Sequence, residues 1–356
     1  MDKNGSICLV TFSNNADHQN VVYSMFRALQ GKAEVYTVGI QNPKSIIAAY
    51  TPNNFYYNCP LRPGIGKGTF RVGVLADIAK MIRQKKIKYL YFESLHIWNA
   101  MLMLLCPQCV KIEAIHDVIP HDGNKAMALC NYVTGKMADH VILRNYMYKD
   151  LLSEKYGIGK EKITCFELWR EYPPKAALSH SGRFLCFGRI RKYKGFENLI
   201  KIVKKTPEIS YHIVGEPDEE SRALVEQLRG MPNVELRDME ITDEEMYDVF
   251  HAADWIVLPY ASATQSGVIV DAYRLSRPVI AFDVGAISEQ VEDGKTGFLV
   301  PKGDNDAFAE TVRTAAQLSR EALEAFADQA YLAGYQKYSA EAVSDDFLKV
   351  IYSLSK

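Results

Sequence analysis

The sequence predicts an α/β protein made of two doubly wound parallel sheets that face each other across a cleft. Three observations predict it. Short β-branched or apolar runs alternate with amphipathic stretches along the chain, the pattern of parallel strands joined by helical crossovers. The length, 356 residues, exceeds the ~250–300 residues at which a single core stops growing. The alternation lapses once, around residues 167–182, and then restarts.

In the first half, strands are predicted at 7–12, 34–38, 89–93, 111–115, 140–143 and 162–166. Helices lie between them, for example at 21–29 and 74–84. The opening apolar run is too short for a signal-peptide core. The run 97–106 is too short to span a bilayer and reads as a buried helix. The lapse at 167–182 holds Pro173-Pro174 and Ser179-His180-Ser181-Gly182, which suits a linker. Strands resume at 184–187, 210–214, 234–237, 255–258, 279–282 and 298–300. Thr242-Asp243-Glu244-Glu245 is a capping box, and Asp304 suits a helix N-cap. Beyond residue 303 the chain reads as helix to its end. The expected domains are 1–170, 181–335, and a final helix at 336–356 that packs back on the first.

The net charge of -1 conceals an asymmetry. Residues 1–180 carry 22 Lys+Arg against 14 Asp+Glu, and the remainder carries 20 against 29. This is either drift between two solvated surfaces or a basic first half that meets an anionic partner. Seven cysteines are scattered. All but Cys59 adjoin apolar runs, as buried thiols do, so a reducing compartment is expected. Cys106-Pro-Gln-Cys109 resembles a redox pair but lacks companions for a zinc site. The chain is expected to be soluble and cytoplasmic, at most peripheral to the inner face of a membrane. No nucleic-acid partner is expected.

Two stretches carry chemistry. Phe187-Gly188-Arg189-Ile190-Arg191-Lys192-Tyr193-Lys194-Gly195 follows a strand and opens a helix. Gly188 permits a sharp turn. The fork of Arg189 and the point charge of Lys194 together suit a diphosphate. The bland reading is a solvated basic turn. Ala263-Thr264-Gln265-Ser266-Gly267-Val268-Ile269-Val270-Asp271 joins a strand to a helix that begins near Gly267. Amides at a helix N-terminus bind phosphate oxygens, and the dipole helps. Asp271, one turn in, can accept from ribose hydroxyls, or simply favour the dipole.

From Gly188-Arg189 and Lys194-Gly195 onward, the segment 184–300 resembles the C-terminal domain of the family-4 retaining glycosyltransferases of GT-B fold. Further matches are Ile213-Val214-Gly215, then Ala253-Asp254-Trp255-Ile256-Val257-Leu258-Pro259. Pro278-Val279-Ile280-Ala281 follows, then Gly294-Lys295-Thr296-Gly297-Phe298-Leu299-Val300. Order and spacing agree over about 115 residues, and in the first half the likeness rests on His116-Asp117. The resemblance implies two Rossmann-like domains and a retaining transfer from a nucleoside-diphosphate sugar to a hydroxyl acceptor. That sugar nucleotide is a substrate, and neither cofactor nor metal is expected. Arg189 and Lys194 would neutralise the diphosphate, and the backbone at 266–268 would hold its oxygens. His116 would stand near the transferred sugar. The family carries two glutamates separated by seven residues. Here Ala263 and Asp271 occupy those positions, with Gln265 or Thr264 as substitutes for the first.

Other candidates are less distinctive. His116 either serves the cleft or caps a turn, and Asp117 either orients it or caps the next loop. His18 follows the first strand and either faces the cleft or belongs to a helix start capped by Asp17. Arg62-Pro63-Gly64-Ile65-Gly66-Lys67-Gly68 departs from the phosphate-loop pattern and reads as a loop over an acceptor. The basic run Lys80, Arg83, Lys85, Lys86 and Lys88 reads as a solvated helix end or a membrane contact. The acceptor is expected to be a saccharide or a lipid-linked precursor, in polysaccharide or glycolipid biosynthesis. The alternatives are another enzyme of the same fold, such as a sugar-nucleotide epimerase or phosphorylase, and a non-catalytic nucleotide-sugar-binding subunit.

Overall fold

The computed structural model describes residues 5–13, 15–41, 53–58, 71–116, 118, 125–263 and 265–354. It divides into two compact units. One is Met1–Glu171 with Tyr338–Lys356, and the other is Tyr172–Lys337.

The first unit runs β1 (Ser6–Val10), α1 (Ala16–Ala28), β2 (Val35–Gln41), β3 (Asn54–Asn58) and α2 (Val72–Gln84). It continues with β4 (Ile87–Phe92), α3 (Ile97–Leu105), β5 (Val110–Ile115), α4 (Lys125–Met137), β6 (His140–Leu143), α5 (Lys149–Tyr156) and β7 (Ile163–Cys165). The seven strands pair in parallel in the order β3-β2-β1-β4-β5-β6-β7. Every residue of β1 and β5 is buried, as expected for central strands covered on both faces.

The second unit runs β8 (Arg183–Phe187), α6 (Phe196–Lys205), β9 (Ser210–Val214), α7 (Arg222–Arg229), β10 (Val234–Arg237) and α8 (Asp243–His251). Then come β11 (Trp255–Leu258), α9 (Gly267–Arg274), β12 (Val279–Asp283), α10 (Ile287–Gln290), β13 (Gly297–Pro301), α11 (Asn305–Ala316) and α12 (Arg320–Tyr338). Its parallel sheet has the order β10-β9-β8-β11-β12-β13. The last helix, α13 (Ala340–Ser353), belongs to the first unit.

Each sheet reverses strand order once, at β1/β4 and at β8/β11. Ligands of such sheets bind outside the carboxyl ends of the strands at that reversal. The loops after β8 and β11 carry the two chemical stretches of the sequence.

Several local expectations match. Four strands, at 140–143, 210–214, 234–237 and 255–258, have the expected bounds. Thr242 and Glu245 form the capping box of α8, and Asp304 accepts the Ala307 amide at the start of α11. Others are corrected. The half-buried strand β3, Asn-Phe-Tyr-Tyr-Asn, pairs among the described residues with β2 alone, at the sheet edge, where uniform half-burial leaves little alternation to read. Residues 167–171 are not linker. The Trp169 indole is fully buried and donates to Val21 O at 2.9 Å. The backbone of Arg170 pairs with Tyr338 and Ala340. The helix α3 is not buried throughout, because Ile97, Leu104 and Leu105 are exposed. The six described cysteines are free thiols, and Cys130 is only half-buried. The loop at residues 62–68 lies outside the described residues.

Candidate functional site

In the second unit the site is built around Gly188, one residue beyond β8. Its φ of +100° lies where L side chains rarely go. A Cβ there would stand 2.6 Å from Lys194 Nζ and 3.6 Å from Val268 Cγ2. The structure therefore brings Gly188, Lys194 and Val268 together, with the ammonium lying over the bare glycine. The Lys194 side chain is buried, and its ammonium sits 5.6 Å from the centre of the Tyr260 ring. Such a cation–π contact offsets part of the desolvation cost. Burial raises the Tyr260 phenol far above its ordinary range, so the ring remains neutral.

The turn that presents Lys194 is fixed by backbone contacts. Tyr193 O accepts the amides of Ala261 at 2.9 Å and Ser262 at 3.3 Å. Gly195 follows with φ +70°, and a Cβ there would lie 1.8 Å from Pro259 O. The loops after β8 and β11 are thus tied together. Arg189, next to Gly188, is exposed.

The second stretch forms the start of α9. Gly267 and Val268 lie in its first turn, where amides have no intrahelical acceptor. The Ser266 amide differs, because it donates to Gln290 Oε1 at 2.7 Å, while Gln290 Nε2 donates to Ser266 O at 3.2 Å. The amide of Ser266 is thereby committed to the fold, and Gln290 clamps the turn. Ala263 is buried, and its carbonyl lies where a Cβ on Gly285 would fall, at 1.6 Å. Gln265 is half-buried, and Thr264 lies outside the described residues. Asp271 Oδ1 sits 2.9 Å from Arg274 Nε, with both side chains largely buried. Arg274 also donates to the Tyr247 hydroxyl at 3.1 Å.

In the first unit His116 directly follows β5, with Nε2 2.8 Å from Glu93 Oε1 and 2.9 Å from Glu93 O. Nε2 faces two acceptors and therefore carries the proton, an assignment from the hydrogen-bond network. Glu93 is fully buried and is held by Arg144 and the Tyr91 hydroxyl. Burial alone would raise its carboxyl. Arg144 and His116 outweigh burial and bring it down to about 2. His18, in the first turn of α1, lies against His116 with ring centroids 4.9 Å apart. The cap of α1 is Asn15, whose side chain accepts the Asp17 amide. Asp17 itself pairs with Arg170 at 3.0 Å, so the expected Asp17 cap is corrected. Asp117 lies outside the described residues.

Sequence reasoning missed Glu93, Arg144, Tyr260 and Gln290. Each is distant in sequence from its partner, and the sequence offered only Glu93 at a strand end as a signal.

Comparison with known proteins gives this geometry a context. Residues 181–317 match the family model for glycosyl transferases group 1. Over 132 residues the chain is 30% identical to a D-inositol 3-phosphate glycosyltransferase of Arthrobacter sp., covering 34% of this chain and 31% of that one. Over 120 residues it is 33% identical to a GDP-mannose:glycolipid 4-beta-D-mannosyltransferase of Xanthomonas campestris, covering 32% and 34%. The chain thus spans about a third of the length of the curated relatives it matches. The fold match extends further. The crystal structure of Anabaena HepE in complex with UDP and glucose covers 98% of this chain and 100% of its own, with TM-score 0.77 and 14% identity. A glycosyltransferase from Rickettsia africae gives TM-score 0.74 and 13% identity, over 99% of each chain. The two Rossmann-like units are those of GT-B structures.

Proposed function

We propose that this chain, whose second unit carries a glycosyl transferases group 1 domain on a GT-B fold, is a retaining glycosyltransferase. It moves one sugar from a nucleoside-diphosphate sugar to a hydroxyl of a saccharide or lipid-linked acceptor, in polysaccharide or glycolipid synthesis. The carrying observation is the Lys194 ammonium, held over Gly188 beside the first turn of α9. HepE, with the same fold, forms a complex with UDP and glucose.

The departing group is a nucleoside diphosphate, so catalysis is chiefly charge stabilisation and positioning. As the bond to the sugar breaks, negative charge grows on the diphosphate. Lys194, Arg189 and the Gly267 and Val268 amides oppose it, with the dipole of α9 adding to them. These cations fill the role a metal would otherwise take, and the transfer is metal-independent in this reading. Gln265 and Asp271 are assigned to the sugar nucleotide, and the Ser266 hydroxyl rather than its committed amide would contact phosphate. His116 stands on the acceptor-side unit with Nε2 fixed by Glu93, so Nδ1 is the edge it offers to a sugar. The basic balance of the first half supports a lipid-linked or polysaccharide precursor as acceptor.

Lys194→Ala should cost about 3 kcal/mol of transition-state stabilisation, a fall of roughly a hundredfold in turnover. The test is thermal-shift screening with UDP and GDP sugars, then nucleotide release from the best binder with and without acceptor. Donor binding and turnover that survive Lys194→Ala and Arg189→Ala would refute the site. Ala263 favours a second reading, because its packed position offers the sugar no carboxylate. Binding without any nucleotide release would support a non-catalytic nucleotide-sugar-binding subunit.

A further inference from the structure

The outer faces of α3 and α4 differ from the rest of the first unit's surface. In α3, Trp98, Asn99, Leu102 and Met103 point inward. The exposed positions are Ile97, Leu104 and Leu105, which share one side of the helix at helical spacing, with Ala100 and Met101 half-buried beside them. Leu104 is 72% exposed.

The helix α4 is inverted. Its buried residues include Asn131, Thr134 and Gly135, whereas Met127, Leu129, Tyr132 and Val133 are exposed, Leu129 by 63%. The inversion has an internal cause. Glu113 is fully buried on β5, where burial pushes its carboxyl well above the ordinary range, and Asn99 and Thr134 are its hydrogen-bond partners. Gly135 leaves room for Ile158, whose Cδ1 would stand 3.0 Å from a Cβ. The polar side of α4 therefore serves the core, and its apolar side is left to the surface. The two helices pack against each other, so their outer faces form one patch.

Cations bracket this patch. Lys125 and Lys136 stand exposed at the two ends of α4. Arg83 donates to Leu105 O at the end of α3, and Lys149 opens α5. Of the acids nearby, Glu93 and Glu113 are buried inside the unit, Asp139 lies beside Lys111, and Asp150 pairs with Lys160. An apolar, tyrosine-bearing face rimmed by lysine fits the boundary of an anionic bilayer. It fits a protein partner poorly, since lysine is depleted at protein interfaces.

We propose that the α3–α4 face docks this protein on an anionic lipid surface. The chain binds with the apolar stripe in the headgroup region and the lysines among the lipid phosphates. The helix α3 starts four residues after Glu93, which holds His116. The docked face therefore begins at the same end of the sheet as His116. That a lipid-borne acceptor would meet His116 rests on the transferase reading, but the docking itself does not.

The test is co-sedimentation of the full chain with vesicles. It should pellet with vesicles containing phosphatidylglycerol and bind about tenfold more weakly to pure phosphatidylcholine or in high salt. Leu129→Glu with Val133→Glu should weaken binding about tenfold or more. Both positions are exposed, so the melting temperature and nucleotide binding should stay as in the unsubstituted chain. Lys125→Glu with Lys136→Glu should remove most of the preference for phosphatidylglycerol. Failure of the unsubstituted chain to pellet, or full binding by the Leu129/Val133 variant, would overturn the proposal. So would self-association that this variant abolishes in the absence of vesicle binding, which would assign the face to a second copy. Nucleotide binding, read separately by thermal shift, reports on the donor site alone.

Discussion

His18 shows how one side chain's state depends on neighbours that its own segment does not reveal. Its Nδ1 is buried without a hydrogen-bond partner, and its ring lies against His116. Burial, and then the charge of His116, lower its pKa to about 4, against smaller opposing effects of Glu93 and Asp17. The unfolded chain takes up this proton near the ordinary 6.5, and the folded chain does so only near 4. The unfolded state thus holds more protons between those values, so stability falls as pH drops from 6.5 toward 4. His18→Gln should flatten that part of a melting-temperature profile against pH. An unchanged slope would show that the two imidazoles do not share this environment. Lys194 is the converse case. The sequence picks it out beside Arg189 in a basic turn, and the fold separates the two by burying Lys194 with its ammonium over Gly188 while Arg189 stays exposed.

At the scale of elements, the start of α9 is positioned from outside itself. Its N-cap residue, Ser266, has no side-chain capping bond. The turn is held by Gln290 of α10, which binds both the amide and the carbonyl of Ser266. Gln290→Leu would leave two buried backbone groups unpaired, at about 1–3 kcal/mol, and would loosen the amides of the first turn. Chemical denaturation should show the loss of stability, and nucleotide affinity should fall with it. If affinity holds while stability drops, the clamp is structural only. Local signals sufficed where one segment determines its own state. The capping box of α8 and the Asp304 cap were readable because donor and acceptor lie three residues apart. The exposed stripe of α3 was not readable, because a run of apolar residues does not say which side the core occupies.

At the scale of the whole molecule, each unit is a parallel sheet with its strand order reversed once. The first unit is completed by the end of the chain. Phe347 of α13 is fully buried and meets Trp169 edge-on at 5.6 Å and Tyr91 at 5.4 Å. The Arg144 guanidinium lies 4.2 Å from the centre of the Trp169 ring. Phe347→Ala should cost about 3–5 kcal/mol. That loss should appear in the unfolding transition of the first unit, with nucleotide binding by the second unit retained. A loss below about 1 kcal/mol would mean that α13 is a peripheral appendage.

The sequence by itself determined the doubly wound fold class and the glycine turn that carries Gly188 and Lys194. Strands, caps and glycine turns depend on residues a few positions apart, and the alternation of apolar runs repeats often enough to average out local error. Only the tertiary structure decided which side chains meet. Glu93 reaches His116 across 23 positions, and Gln290 reaches Ser266 across 24. It also decided that Leu168, Trp169 and Arg170 are buried and that the outer face of α4 is apolar. Burial and partner choice are properties of chains packed together, and no single segment encodes what will lie against it.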